Sequence, residues 1–219
     1  PLIAAVPGLQ LAAVASRRPG DVLAHWPDTP VCETPEALIA RPDIDLVVIA
    51  TPNDTHAPLA AQALAAGKHV VVDKPFTLNA AEARHLIALA EQHQRVLSVF
   101  HNRRWDGDFL TLQALLQSGE LGRVTHVESH FDRYRPVVRQ RWLESGNPGS
   151  GLWYDLGPHL LDQALQLFGQ PQSLWLDLAC QRDGAQADDW FHAVLRYDSL
   201  RVVLHASALT ARVAPRFVV

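Results

Sequence analysis

The composition of this 219-residue chain excludes several classes of protein. Hydrophobic residues make up 48% of it and charged residues 19%, which is ordinary for a globular protein with a buried core. The formal net charge of −4 argues against a nucleic-acid-binding surface, and no apolar run reaches the roughly 18–20 residues that span a bilayer. The 2 cysteines fit no metal or redox spacing, and residues 1–14 carry no basic leader, so we expect a cytoplasmic protein. The charge and the lack of a long apolar run predict that it has no nucleic-acid or membrane partner.

The sequence also has the features of part of a longer protein. It begins at Pro1 without an initiator, contains no methionine, and ends on Phe217-Val218-Val219, which is typical of the middle of a strand. We therefore expect further segments before and after it.

The first half of the chain alternates short apolar strands with helices. Strands are predicted near residues 9–16, 46–50, 69–73 and 96–100, and helices or helical turns near residues 21–26, 35–41, 57–66 and 79–94. Thr34 and Asn79 have the sequence context of helix N-caps. This alternation predicts a Rossmann-like, doubly wound parallel sheet.

Two of these strands end in polar residues beside a proline. One is followed by Thr51-Pro52-Asn53, and the next ends in Asp73-Lys74-Pro75. Because a crossover helix joins them, both carboxyl ends are expected at the ligand-binding edge of the sheet. A lysine fixed there is a candidate for proton chemistry. The alternatives are a solvated lysine at a strand end and a simple turn with a helix cap at residues 51–54.

The second half has a different pattern, with longer strands. Strands are predicted near residues 124–131, 174–180, 190–197 and 201–209, and helices near residues 109–118 and 155–168. Residues 133–150 form a long loop that is rich in arginine. Its residues Arg139, Arg141 and Trp142 either close over the cofactor or substrate or belong to a solvated basic loop. We predict a dinucleotide-binding domain over residues 1–103, and an α+β domain with an open, mostly antiparallel sheet over residues 104–219 for substrate binding and oligomerisation.

Asp155 and His159 stand four residues apart at the predicted start of a helix, so their side chains share one face. Pro158 would then lie in the first turn, where a missing N–H is tolerated, with Asp155 near the N-cap. Spacing leaves three interpretations open: a helix cap beside an ordinary histidine, an acid–base pair, or a metal site completed by His130 or His192. The remaining histidines are not expected to form a cluster.

Together these motifs resemble those of the glucose-fructose oxidoreductase / inositol dehydrogenase (Gfo/Idh/MocA) family. The family's Glu-Lys-Pro is Asp73-Lys74-Pro75 here, and the segment from Gly151 to His159 matches its Asp-x-x-x-His motif. The resemblance covers nearly the whole chain, although the family's Gly-x-Gly-x-x-Gly phosphate loop precedes the point where this sequence begins. It implies an NAD(P)-dependent oxidoreductase for a sugar, polyol or similar molecule. A transient redox isomerase or glycosidase and a non-catalytic dinucleotide sensor are the alternatives.

The resemblance also implies roles for individual residues. Lys74 would hydrogen-bond the reacting oxygen, His159 would be the general acid/base, and Asp155 would bind substrate and support the imidazole. A histidine suits this role because imidazole exchanges protons near neutral pH. The expected cofactor-binding residues are Ser16, Arg17, Thr51, Asn53, His56, Asp73, Lys74 and Asn102. A serine and an arginine follow the first strand, at the position where an acidic residue would favour NAD. We therefore expect NADP, with Arg17 as the main 2′-phosphate contact. The alternative is that these arginines are solvated and that NAD is the cofactor.

The last two strands predict self-association. Alternating positions contribute Trp190, Val194, Val202 and Leu204, and only one helix is available to cover the sheet. An uncovered apolar sheet face is typical of an interface, so we expect a homodimer or homotetramer. The alternative is that C-terminal residues absent from this sequence cover the face within one subunit.

Overall fold

The computed structural model describes residues 2–212 and 214–219, and the chain divides into two compact units, Pro1–Val99 and Phe100–Val219. The division falls before the boundary expected at residue 103. The turn after residue 100 belongs to the second unit because Arg104 donates two hydrogen bonds to Asp162, at 2.8 and 2.6 Å. None of the helices in the described residues is long and apolar enough to cross a membrane.

The first unit consists of parallel strands connected by helices. Its helices are α1 (Leu2–Ala5), α2 (Pro19–Leu23), α3 (Pro35–Ile39), α4 (His56–Ala65) and α5 (Ala80–Gln92), and its strands are β1 (Val14–Ala15), β2 (Val31–Cys32), β3 (Leu46–Ile49), β4 (His69–Asp73) and β5 (Leu97–Phe100). Strands β1 and β2 pair in parallel, and so do β3 and β4, with β5 beside β4. This confirms the predicted Rossmann-like sheet.

Helix caps explain where α3 and α5 begin, and strand pairing explains the length of β1. The side chain of Thr34 accepts the N–H of Ala37 at 3.2 Å, and Asn79 accepts that of Glu82 at 3.0 Å. Glu82 in turn accepts the N–H of Leu78, the residue before the N-cap, at 3.1 Å, so the two bonds form a variant of the capping box. Strand β1 is shorter than the predicted residues 9–16 because its partner β2 pairs with only Val14 and Ala15.

The second unit combines two longer helices with a mixed sheet. It contains α6 (Gly107–Ser118), β6 (His126–His130), α7 (Leu152–Phe168), β7 (Ser173–Ala179), β8 (Trp190–Arg196), β9 (Arg201–Ser207) and β10 (Phe217–Val218). The strand order is β10-β6-β9-β8-β7, and β6 with β9 is a parallel pair among antiparallel ones. The predicted open, mostly antiparallel sheet is therefore confirmed.

The two faces of this sheet differ, because helix α7 packs on only one of them. Helix α7 packs on one face, where Leu156 and Leu160 join Phe191, Val202 and Leu204 in the core. The opposite face, called here the open sheet face, carries a mixed set of side chains: Trp175, Trp190, His192, Val194, Val203 and His205. The prediction that Val202 and Leu204 share a face with Trp190 and Val194 was wrong. The register pairs Leu195 with Val202, so both point toward α7.

Helix α7 begins earlier than predicted. Gly151 is its N-cap and Leu152 its first residue, so Asp155 is the acidic residue of the first turn rather than the cap, and Pro158 lies inside the helix rather than in its first turn. Gly157, just before the proline, leaves room for the Trp153 ring. A Cβ at residue 157 would stand 2.5 Å from that ring.

Replacing Gly157 with alanine should therefore lower the free energy of unfolding by about 1–3 kcal/mol, because the added methyl group overlaps the Trp153 ring and crowds the following proline. The matched variant is Gly107→Ala in α6, where a Cβ meets no atom within 4 Å. It should be neutral or up to about 1 kcal/mol more stable. Urea unfolding followed by circular dichroism measures both, and equal stability of the two variants would contradict this packing.

Candidate functional site

His56 connects the carboxyl ends of β3 and β4. Its Nδ1 lies 2.8 Å from the carbonyl oxygen of Pro75, and its Nε2 lies 2.9 Å from that of Thr51. The side chain is only 1% exposed. Both motifs are thus held side by side within the first unit, as the parallel sheet predicted. Asn53 is also buried, in a 3-10 turn that leads into α4.

Lys74 and Asp73 follow at the end of β4. The carboxylate of Asp73 accepts the backbone N–H of Lys74 at 2.8 Å, and both residues are half-buried. This bond turns the Asp73 side chain back onto its own strand end. Lys74 thus places a cationic side chain at this edge of the sheet.

The segment after β1 carries an exposed arginine. The hydroxyl of Ser16 accepts the N–H of Arg18 at 3.0 Å, and Arg18 forms an exposed ion pair with Asp21 at 3.3 Å. Arg17 is exposed, and its guanidinium has no hydrogen bond or ion pair with any residue in 2–212 or 214–219. Arg17 thus presents an exposed guanidinium next to Ser16 in the sequence.

In the second unit, Asp188 holds the start of α7. Its carbonyl accepts the N–H of Leu152 at 2.7 Å, and its carboxylate accepts that of Trp153 at 2.6 Å. Burial raises the pKa of this carboxyl, although the bonds from the helix act in the opposite direction. Gly151 allows the close approach: its φ is +97°, and a Cβ there would lie 2.0 Å from Asp188 Oδ1.

From this fixed start, Asp155 and His159 fall one turn apart on the same face of α7. Asp155 lines a concave pocket that is open to solvent, whereas His159 is 5% exposed. The shared face agrees with the sequence expectation, and the catalytic roles remain predictions. Asn102, expected at the cofactor, is exposed in the 3-10 helix Asn102–Trp105.

Three histidines cluster on the open sheet face, and they include the two that were considered as metal ligands, His130 and His192. The rings of His130 and His205, and those of His192 and His205, have centroids 5.6 Å apart. Asp132 lies 3.4 Å from both His130 and His205. Because this face points away from α7, neither His130 nor His192 can complete a metal site with His159. The described residues contain no group of three side chains arranged to hold a metal.

A buried polar bridge one turn beyond His159 was missed from the sequence. Gln163 is 2% exposed, donates to the carbonyl of Arg103 at 2.8 Å, and accepts from Arg216 at 2.7 Å. Burial lowers the pKa of Arg216 to about 10, and its guanidinium stacks 3.8 Å above the Phe131 ring. No local pattern could have revealed Gln163, because its partners come from distant parts of the chain.

Comparison with known proteins agrees with both units. A family model described as "Oxidoreductase family, NAD-binding Rossmann fold" matches residues 1–101, and one described as "GFO/IDH/MocA C-terminal domain" matches residues 109–219. The chain belongs to the GFO/IDH/MocA oxidoreductase family. Its first unit therefore has the NAD-binding Rossmann fold of that family.

Individual relatives cover almost the whole chain. The uncharacterized oxidoreductase YdgJ of Escherichia coli (strain K12) is 59% identical over 100% of the chain and 63% of its own length. The scyllo-inositol 2-dehydrogenase (NADP(+)) IolW of Bacillus subtilis (strain 168) is 36% identical over 99% of the chain and 61% of its own length. The solved structure of YPO2259 from Yersinia pestis has a TM-score of 0.93 at 58% identity, with 99% of the chain and 61% of YPO2259 covered. The chain thus spans about three fifths of these relatives.

The Asp188 contact predicts how two substitutions differ. Asp188→Ala removes the acceptor for the helix N–H and should cost about 1–3 kcal/mol in the free energy of unfolding. Asp188→Asn keeps an oxygen acceptor and should cost less than about 1 kcal/mol, because burial already disfavours the charged form. Urea unfolding of both variants separates the effects. If asparagine proves as damaging as alanine, the negative charge rather than the hydrogen bond holds the helix.

Proposed function

We propose that the full-length protein is an NAD(P)-dependent dehydrogenase or reductase that acts on a secondary alcohol or ketone of a sugar, polyol or similar small molecule. The observation that carries this proposal is the pairing of Asp155 and His159 on one face of α7, with Asp155 lining a solvent-open pocket and His159 buried one turn further along the helix. The NAD-binding fold of the first unit and the name of the Bacillus subtilis relative, an inositol dehydrogenase, support it.

The side chains divide the chemistry with the cofactor. When bound, the nicotinamide would supply the hydride acceptor or donor. Lys74 would hydrogen-bond the reacting oxygen, and His159 would take up or release its proton. Asp155 would bind a substrate hydroxyl and support the imidazole of His159. The burial of His159 restricts water around the proton that it carries.

Alanine at Lys74 or at His159 should each lower kcat by about 10²–10⁴-fold, the usual effect of losing a positioned acid or base. Cofactor binding and thermal stability should change little. His85→Ala, an exposed position on α5, is the control and should retain normal turnover. Steady-state kinetics of the full-length protein test this, and near-normal kcat in both variants would remove the assignment.

We further propose that NADP is the preferred cofactor. Arg17 is an exposed guanidinium without a partner in the described residues, and the neighbouring Ser16 adds a hydroxyl, which together fit a 2′-phosphate. The Bacillus subtilis relative is named for NADP(+). At the sheet edge, the residues proposed to contact the cofactor are Thr51, Asn53, Asp73, Lys74 and Asn102. The buried ring of His56 would position that edge.

Arg17→Ala should raise KM for NADP by about 10-fold or more, because a charge-assisted hydrogen bond to phosphate is lost. Kinetics with NAD should stay almost unchanged. Arg18→Ala is the control, since Arg18 already pairs with Asp21, and it should affect NADP less. A wild-type kcat/KM that favours NAD would contradict the proposed preference.

We also propose that the open sheet face mediates self-association into a homodimer or homotetramer. Trp175 is 56% exposed on β7 and pairs with Val194, and Trp190 lies further along β8 on the same face. These side chains stand among histidines, and exposed aromatic residues are enriched at interfaces between subunits.

Trp175→Glu should therefore shift the full-length protein toward monomers, because a carboxylate would be buried between subunits. Trp105→Glu, at a position that is 74% exposed and not on the sheet, is the control and should leave assembly unchanged. Sedimentation velocity at micromolar concentration gives the result. A wild-type protein that is strictly monomeric would contradict this proposal and favour cover of the face within one subunit.

A further inference from the structure

Arg133 and Arg135 continue the course of β6 beyond its last residue. The N–H of Arg133 donates to the carbonyl of Ser207 at 2.9 Å, and that of Arg135 donates to Ala208 at 2.7 Å. Tyr134, between them, forms a β-bridge with Leu209. Because side chains alternate along extended backbone, the two guanidinium groups project to the same side of the sheet.

That side is the one covered by α7. Val127 and Ser129, which precede the arginines at the same alternation, are buried on the α7 side of β6. Both arginines line the concave pocket at the start of α7, and Asp155 lines it with them. The sheet therefore places the two arginines in the same pocket as Asp155, a residue of the proposed acid–base pair.

The other charged groups of this pocket already have partners. Arg182 donates to Asp189 at 2.8 Å and lies 3.3 Å from Glu144. Arg141 donates to the same glutamate at 2.7 Å. Asp188 accepts hydrogen bonds from the start of α7. The carboxylates of Glu144, Asp188 and Asp189 thus already bind other groups of the protein.

Arg133 and Arg135 have no such partner. Within the part of the chain that the structure describes, neither forms an ion pair or a side-chain hydrogen bond. Burial lowers the pKa of the Arg133 guanidinium and the neighbouring charge of Arg135 lowers it further, while Asp155 acts in the opposite direction. Half-buried cations that repel each other would be stabilised by an anion between them.

We infer that the substrate carries an anionic group, a carboxylate or a phosphate ester, which Arg133 and Arg135 bind while its hydroxyl faces Asp155. This inference rests on the proposed function and names the substrate class. Guanidinium groups suit such an anion because they offer planar pairs of N–H donors to carboxylate and phosphate oxygens. A neutral polyol needs only hydroxyl and amide partners, and it would not relieve the repulsion between the two half-buried guanidinium groups.

Isothermal titration of the full-length protein with matched sugars tests the inference. The neutral probes are D-glucose and myo-inositol, and the anionic probes are D-glucuronate, D-glucose 6-phosphate and myo-inositol 1-phosphate. We expect at least one anionic probe to bind about 10-fold or more tightly than its neutral counterpart. The glucuronate and phosphate arms show which anion the pocket takes.

Two variants connect this preference to the pocket. Arg133→Gln and Arg135→Gln should each reduce the ratio of anionic to neutral affinity by about 10- to 100-fold. In turnover, they should raise KM for the anionic substrate far more than they lower kcat. Arg123→Gln removes the same charge from an exposed turn outside the pocket and should leave the ratio unchanged.

Several results would overturn the inference. Neutral probes that bind as well as anionic ones, or a complete absence of binding by the anionic probes, would do so. If Arg133→Gln weakens binding of NADP alone instead, the anion belongs to the cofactor. Anionic binding without hydride transfer would support this inference and contradict the proposed function, whereas turnover of neutral sugars alone would do the reverse.

Discussion

The contact between Asp188 and the first turn of α7 is the constraint on which the candidate site depends. Two backbone N–H groups of the helix end on Asp188, and Gly151 lets the carboxylate approach where any side chain would collide. Once the start is fixed, helix periodicity alone places Asp155 and His159 on one face. A shift of one residue would rotate both by about 100° and turn Asp155 away from the pocket that it lines.

Asp189, the residue after Asp188, affects the charge balance of the pocket that Asp155 lines. Burial acts to raise the pKa of Asp189, but hydrogen bonds from Gln181 and Arg182 outweigh it, and the pKa lies below its ordinary value. Asp189 thus stays ionised and neutralises Arg182, while Asp188 serves the helix. The carboxylates of Asp188 and Asp189 are thus both paired with other groups of the protein, which leaves the positive charge of Arg133 available for a ligand.

Local signals predicted the parts of this molecule that depend on nearby residues. The caps at Thr34 and Asn79 and the paired ends of β3 and β4 follow from short-range rules, and these rules correctly placed Lys74 directly after the end of β4. The start of α7 could not be predicted, because the group that accepts its N–H bonds stands 35 residues away. The histidine cluster was predictable in principle: the turn between β8 and β9 sets the register, and counting back from it pairs His192 with His205.

The central claim, hydride transfer from a secondary alcohol, has a direct test in isotope transfer. The full-length protein would be incubated with NADP and a panel of sugars and polyols deuterated at their carbinol carbons, and the nicotinamide would then be weighed by mass spectrometry. The account predicts that at least one alcohol transfers its carbon-bound deuterium to the nicotinamide, with no label acquired from heavy water. A protein that binds NADP but transfers deuterium from none of these alcohols would contradict it.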